Sequence, residues 1–197
     1  MKGGVVPSAE YEIVRENSVM AVINANGGLG VVAALKAMEM AIDKARSSTI
    51  GIVGIYNMGH VGRLGDYPPR AAKQGMIGIA MLNGVGRFVH PFGGIERSIP
   101  PNPISVSVPQ KDGFTLLDMT TSVVAGGKFD VKQLPEGWLL NSKGESVIDF
   151  LLMRNDNTTS VPPLGGPQFG LAFMVDAIAG GLSHAGHLIM AATDLWL

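Results

Sequence analysis

Apolar side chains recur at positions 31, 34, 35, 38, 41, 42 and 45, while Lys36, Glu39, Asp43 and Arg46 fall on the opposite face. Spacings of three and four are the helical period, so 31–46 is expected to be an amphipathic helix with one face in a core. Ahead of it, 18–24 (SVMAVIN) is a β-rich run that Asn26-Gly27-Gly28 is expected to end as a turn. Behind it, 50–56 (IGIVGIY) and 76–82 (MIGIAML) are short apolar runs, each closing in asparagine, that suit buried strands. Between them Pro68-Pro69 opens a short helix and Gly75 closes it, because proline is preorganised for a helix start and glycine for its end. Two successive helix, strand, asparagine units imply an α/β layer arrangement whose central strands are covered on both faces.

Beyond residue 82 the pattern loosens. Residues 87–103 are loop-rich, 104–108 and 114–119 read as strands, and 121–126 suits the start of a helix. A hairpin is expected over 138–148, turning at Ser142-Lys143-Gly144. Residues 155–167 read as a Pro/Gly loop, and 168–178 as a helix capped by Gly180-Gly181. The first 17 residues read as an extended, partly charged entry segment. With no repeat array and no linker, 1–197 reads as a single domain.

Charge and cysteine usage narrow the function. Fifteen Lys and Arg against 16 Asp and Glu leave no basic footprint for nucleic acid or an anionic membrane surface. The absence of cysteine excludes disulfides, thiolate metal sites and a thiol nucleophile, and suits a reducing cytoplasm. No secretory signal is recognisable after Met1-Lys2. Uncharged stretches flank Asp176; the one at 157–175 is broken by prolines and glycines, and the one at 177–193 is Ala- and Gly-rich with His184 and His187. A buried core helix suits that second stretch better than a membrane span. The 27 glycines lie between apolar runs, an arrangement that lets backbone, or a ligand, approach backbone closely.

Four segments are candidates for chemistry. Gly28-Leu29-Gly30-Val31-Val32-Ala33 fits a G-x-G-x-x-A dinucleotide fingerprint, yet Tyr56-Asn57 stands where the fingerprint needs an acidic residue, so a tight strand-to-helix turn competes with it. His60, in the loop after the 50–56 strand, sits where α/β sheets bind ligands, and an imidazole can exchange a proton with an alcohol; a structural or surface histidine is the alternative. Asp118, closing the 114–119 strand ahead of Thr120-Thr121-Ser122, can accept from ribose hydroxyls or cap a following helix. Gly165-Gly166-Pro167-Gln168 precedes a helix and suits either a phosphate or a plain turn. No metal is expected, since His60, His90, His184 and His187 lack carboxylates at ligand spacing.

Taken in order, Asn57 to Tyr67 (NMGHVGRLGDY), Gly75 to Asn83 (GMIGIAMLN), Pro91-Phe92-Gly93-Gly94, Asn102-Pro103-Ile104, Leu117-Asp118-Met119-Thr120-Thr121-Ser122 and Leu134-Pro135-Glu136-Gly137-Trp138 resemble the type 2 malate/L-lactate dehydrogenase family. That family also holds ureidoglycolate, sulfolactate, diketogulonate and piperideine-carboxylate oxidoreductases. The resemblance implies an α/β fold with a mixed sheet covered by helices, a dinucleotide-binding core that is not Rossmann. It implies NAD or NADP as cofactor, a small 2-oxo or 2-hydroxy acid as substrate, and a homodimer with no nucleic-acid or membrane partner. By the same likeness His60 takes or gives the substrate hydroxyl proton, Asp118, Met119 and Thr120 line the dinucleotide with Gly84 beside them, and Gln168 occupies the place of a cofactor-directed lysine.

Several positions depart from the family pattern. Gln168 lacks the lysine's charge, Met58-Gly59 replaces Ser-Asn before the histidine, and Ile99-Pro100-Pro101-Asn102-Pro103 replaces Leu-Gly-Thr-Asn-Pro. None of Arg63, Arg87 and Arg97 stands at the family's substrate-carboxylate arginine, which belongs to an N-terminal Ser-His-Gly…Arg segment not found in these 197 residues. The family's C-terminal segment is likewise not found after Leu182, where the sequence drifts into 185–197. The alternative expectation is therefore a truncated, non-catalytic paralogue that binds a dinucleotide or a full-length relative.

Overall fold

The computed structural model describes residues 5–84, 86–128, 134–149, 152, 158–183 and 188–194. They form two compact units, one of 1–82, 104–119 and 176–197, the other of 83–103 and 120–175.

The first unit holds a seven-stranded mixed sheet. Its strands are β1 (Glu12–Glu16), β2 (Met20–Gly28), β3 (Ile50–Met58), β4 (Met76–Leu82), β5 (Ile104–Gln110), β6 (Gly113–Met119) and β7 (Leu188–Asp194), in the order β1-β2-β3-β7-β4-β5-β6. The β2–β3 pair is parallel and the remaining pairs are antiparallel. The apolar runs become β3 and β4 as expected, the latter with the same bounds. β7 was not expected: the drifting tail supplies the central strand, paired to β3 on one side and β4 on the other. A run of small and apolar residues bordered by glycines reads as helix or tail until the two edges it completes are known.

Helix α1 (Gly30–Ser48) buries Ala33, Ala34, Ala37, Met38, Ala41, Ile42 and Ala45, the face read from the period. α2 (Pro68–Ala72) starts on the two prolines, and Gly75 follows at φ +79°. Both helices lie on one face of the sheet, which corrects the expectation of cover on both. Gly51 of β3, Ala192 of β7 and Gly78 of β4 are in register, and a Cβ on Gly51 would meet Ala41 O of α1 while one on Gly78 would meet Pro68 O of α2. The small residues in that row let helix backbone press on strand backbone. On the opposite face Ile52, Ile77, Ile79, Ala191 and Val106 are only half-buried.

Three further expectations are corrected. Asn26-Gly27-Gly28 does not end β2; Asn26 and Gly27 take φ of +50° and +75°, and the register against β3 slips there as a bulge. No helix starts at 121–126, where the Thr121 and Ser122 hydroxyls donate to Pro101 O and Val124 O and only a 3-10 turn follows at Gly126–Lys128. The last helix, α3 (Gly166–Ser183), runs through Gly180-Gly181 to Ser183, whose hydroxyl bonds back to Ala179 O.

The second unit packs Val89, Val124, Leu134, Leu139 and Val161 into a core of its own. Isolated bridges hold it, Val89 to both Ile99 and Val161 and Leu140 to Ser146 and Ser160; the expected 138–148 hairpin reduces to the Leu140–Ser146 bridge around a turn with Gly144 at φ +79°. His184 and His187, residues 155–157, and most of the tail beyond Ser183 except β7 lie outside the described residues. Among the described residues no helix is long and apolar enough to cross a membrane.

Candidate functional site

In the first unit β3 runs out at Met58 against the start of α1. Gly59 N–H donates to Gly28 O at 2.9 Å, and a Cβ on Gly30 would lie 1.9 Å from Gly59 O and 2.6 Å from His60 O. One on Gly28 would strike the Tyr11 ring at 2.6 Å. The fingerprint glycines are thus spent on backbone meeting backbone at the mouth of α1, the tight-turn reading.

His60 follows, exposed, its Nδ1 accepting the Gly62 N–H at 2.9 Å. That bond makes Nδ1 the acceptor, so the neutral ring carries its hydrogen on Nε2. Gly62 takes φ +70°, the left-handed turn that brings its N–H back to the ring. The next side chain, Val61, is buried, and its carbonyl accepts the Tyr67 hydroxyl. Burial raises the Tyr67 hydroxyl above its ordinary range, Asp66 adds to the rise, and Arg70 opposes it.

Beyond His60 the chain turns back on the end of β6. Arg63 Nε lies 3.2 Å from Asp66 Oδ1 and 3.5 Å from Asp118 Oδ2, and Asp118 keeps 25% of its side chain exposed. A Cβ on Gly65 would stand 2.4 Å from Asp118 Oδ2, so only glycine leaves room for that carboxylate. Met119, half-buried, closes β6. The first unit therefore gathers the His60 segment, Asp118 and Met119 through Arg63 and Gly65.

The second unit holds Gly84, Thr120 and Gln168. Asn102, fully buried, accepts the Gly84 N–H at 3.2 Å and donates through Nδ2 to Ala172 O of α3 at 2.9 Å. The neighbouring Pro101 carbonyl accepts the Thr120 hydroxyl at 2.9 Å, so that hydroxyl already has a structural partner. Gln168 sits half-buried in the first turn of α3. The Gly165-Gly166 turn is crowded, with Gly166 3.4 Å (to its would-be Cβ) from the Phe92 ring. His90 is buried, its Nδ1 donating to Pro91 O at 2.8 Å and its Nε2 without a partner among the described residues.

Sequence reasoning missed Gly65, Asp66, Tyr67 and the hub role of Asn102, and left the arginines unassigned. The three-residue spacing of Arg63 and Asp66 was the available signal for an ion pair; nothing in the sequence shows that Asp118 completes it. Arg97 Nε donates to Thr159 O and Nη2 to Thr159 Oγ1 at 3.3 Å, whereas Arg87 is exposed.

A family model described as malate/L-lactate dehydrogenase matches residues 1–194. The chain is 41% identical over 196 residues to a malate dehydrogenase of Pyrococcus abyssi, covering 93% of this chain and 53% of that protein. It is 32% identical to a ureidoglycolate dehydrogenase (NAD(+)) of Escherichia coli K12, covering 92% of this chain and 52% of the relative. Among solved structures, a malate dehydrogenase from Entamoeba histolytica superposes at a TM-score of 0.90 with 25% identity, over 97% of this chain and 62% of that one. One from Pyrococcus horikoshii does so at 0.79 with 34% identity, over 98% of this chain and 59% of that one. The chain spans about half the length of the curated relatives it matches.

Proposed function

The chain belongs to the malate/L-lactate dehydrogenase family, and we propose that it serves an oxidoreductase interconverting small 2-hydroxy and 2-oxo acids with NAD or NADP. The observation that carries this reading is the exposed His60 imidazole, held by Gly62 on a segment that also reaches the Asp118 carboxylate through Arg63. The residues present suit a dinucleotide: Asp118 is an accessible acceptor for ribose hydroxyls, Gly65 gives it room, and Met119 offers half-buried apolar surface. When bound, the nicotinamide supplies the hydride acceptor or donor. The name of the ureidoglycolate relative supports NAD among the two.

The chain's own part is proton handling. With Nδ1 engaged by Gly62, the neutral ring offers Nε2–H as a hydrogen-bond donor toward the oxygen of a 2-oxo acid. Proton exchange at Nε2 uses the other tautomer: in the oxidative direction the ring, its hydrogen moved to Nδ1 and the Gly62 N–H released, takes the hydroxyl proton at Nε2, and the imidazolium so formed returns it from Nε2 in reduction. Thr120, Gly84 and Gln168 are read as further cofactor contacts, the enzyme as a cytoplasmic homodimer, and sedimentation at working concentration tests the dimer.

His60→Gln tests the role directly, because glutamine keeps polarity and bulk without a titrating ring. NADH or NADPH fluorescence titrations on the variant are expected to match the unsubstituted chain. Turnover of 2-oxo acids, assayed on an active preparation, is expected to fall by about 10²–10⁴-fold. Unchanged turnover removes His60 from the chemistry, and a flat fluorescence response from folded protein overturns the dehydrogenase reading.

A further inference from the structure

Of the loop arginines Arg63, Arg87 and Arg97, Arg63 stands beside a proposed cofactor residue, Asp118. Its guanidinium Nε stands between two carboxylates, 3.2 Å from Asp66 Oδ1 and 3.5 Å from Asp118 Oδ2. We infer that Asp66 and Arg63 tune the charge around Asp118 so that the site takes NAD(H) in preference to NADP(H). The inference rests on the reading of Asp118 as a ligand of the dinucleotide ribose.

The two cofactors differ by one group, a 2′-hydroxyl against a 2′-phosphate. A hydroxyl donates to a carboxylate, whereas a phosphate near neutral pH brings close to two negative charges and only acceptor oxygens. An arginine beside the ribose normally accommodates that phosphate, and an acidic residue normally selects the hydroxyl. Here both are present, so the balance of charge decides. Two carboxylates and one guanidinium leave a net charge of −1. Arg63 is already over-matched, and an incoming phosphate meets Asp118 and Asp66 as well as the guanidinium.

Asp66 is the residue that tips the balance. Without it, Arg63 and Asp118 form a neutral pair, and the planar fork has donors to spare for a phosphate. The side chains of Arg63 and Asp66 are each 63% exposed, so each unit of charge acts through water and is worth a modest factor. Gly65, lying between the two charged residues in sequence and under the Asp118 carboxylate, fixes the geometry from below.

The test is a charge series on the full chain at low ionic strength, with NADH and NADPH titrated separately by nicotinamide fluorescence. Asp66→Asn brings the cluster to zero, the unsubstituted chain stands at −1, and Arg63→Gln takes it to −2. Because Arg63 and Asp66 are mostly exposed, neither change touches the core, and circular dichroism checks the fold. The unsubstituted chain is expected to bind NADH more tightly than NADPH. Asp66→Asn is expected to shrink that ratio by about two- to fivefold through tighter NADPH binding, and Arg63→Gln to widen it by a similar factor. Added salt is expected to compress the series, as screening demands. Equal affinities in the unsubstituted chain, or both substitutions moving the ratio the same way, overturn the inference while leaving the cofactor reading standing. Failure of the folded chain to bind either nucleotide overturns both.

Discussion

Replacing Gly30 by alanine sets two known effects of opposite sign against each other. Gly30 is the first residue of α1, and alanine is the better helix former by about 1 kcal/mol. If the glycine were there only to begin a helix, the substitution would stabilise the protein. The packing says otherwise. An added Cβ would stand 1.9 Å from Gly59 O, 2.6 Å from Gly59 C and 2.6 Å from His60 O, all backbone atoms that no rotamer change can move. Relief requires the end of β3 to part from α1 by about 1 Å or more. On one side α1 is fixed by Ala33, Ala34, Ala37 and Met38 in the core; on the other Gly59 is tied to Gly28 O. Overpacking that displaces backbone in this way costs about 1–3 kcal/mol, and we place Gly30→Ala at the upper end, net of helix propensity. Urea denaturation followed by far-ultraviolet circular dichroism reports the sheet and α1, and an unchanged m value establishes that stability rather than cooperativity has moved. Gly170→Ala is the internal control: it sits inside α3 with nothing within 4 Å of its would-be Cβ, so propensity alone acts and stability should rise by about 0.5–1 kcal/mol. A Gly30→Ala chain as stable as its parent would refute the close-approach account of the G-x-G motif.

Two further outcomes follow from single hydrogen bonds. Tyr67→Phe removes the donor to Val61 O, leaves a buried carbonyl unpaired beside His60, and should cost about 1–3 kcal/mol by urea denaturation. The pH dependence has a defined sign. The folded chain raises the Tyr67 hydroxyl above its unfolded value of 10.0, so the stabilisation is fully present below about pH 10 and is lost as the pH climbs through the higher folded value. Tyr67→Phe should remove that part of the alkaline loss, and an unaltered alkaline limb would count against the bond. Asn102→Ala breaks links to Gly84 N and Ala172 O at once; a loss of about 2–4 kcal/mol is expected, with Trp138 fluorescence reporting the second unit, and a loss under about 0.5 kcal/mol would remove Asn102 as its hub.

The parts of the fold that were legible are those whose signal is local. α1 declares itself through a 3.6-residue period, α2 through two prolines and a glycine, and β3 and β4 through apolar runs that end in asparagine. β7 was illegible for a physical reason. A central strand is specified by the two edges that receive it, here β3 and β4, which lie more than 100 residues upstream in sequence, and its own Leu-Ile-Met-Ala-Ala-Thr-Asp run carries no alternation to mark a solvent side. The same difficulty misplaced the cover of the sheet. Helix-to-strand order gives the layers but not the face, and the face is set by the aligned Gly51, Ala192 and Gly78, a row that exists only once β7 is in place.

At the candidate site the balance is similar. His60 and Asp118 were visible because each ends a strand, and strand ends in α/β sheets are where reactive side chains reach solvent. What joins them was not visible, because it depends on a glycine and on charges 50 or so residues apart in sequence. Gly65 has no side chain to advertise a role, yet its missing Cβ is what lets Asp118 come within 3.5 Å of Arg63. Glycine in this chain therefore carries two meanings that composition cannot separate. At Gly62 and Gly75 it supplies a left-handed turn; at Gly30, Gly51, Gly65 and Gly78 it supplies absence of volume. The second kind is invisible to any local pattern, since the atom that would collide belongs to a distant segment. The G-x-G-x-x-A run belongs to that class, and of its two readings the tight strand-to-helix turn is the one the packing supports. The motif reports that something approaches the start of α1, and in this fold the approaching group is the chain's own Gly59-His60 backbone, which brings the imidazole to the rim of the sheet.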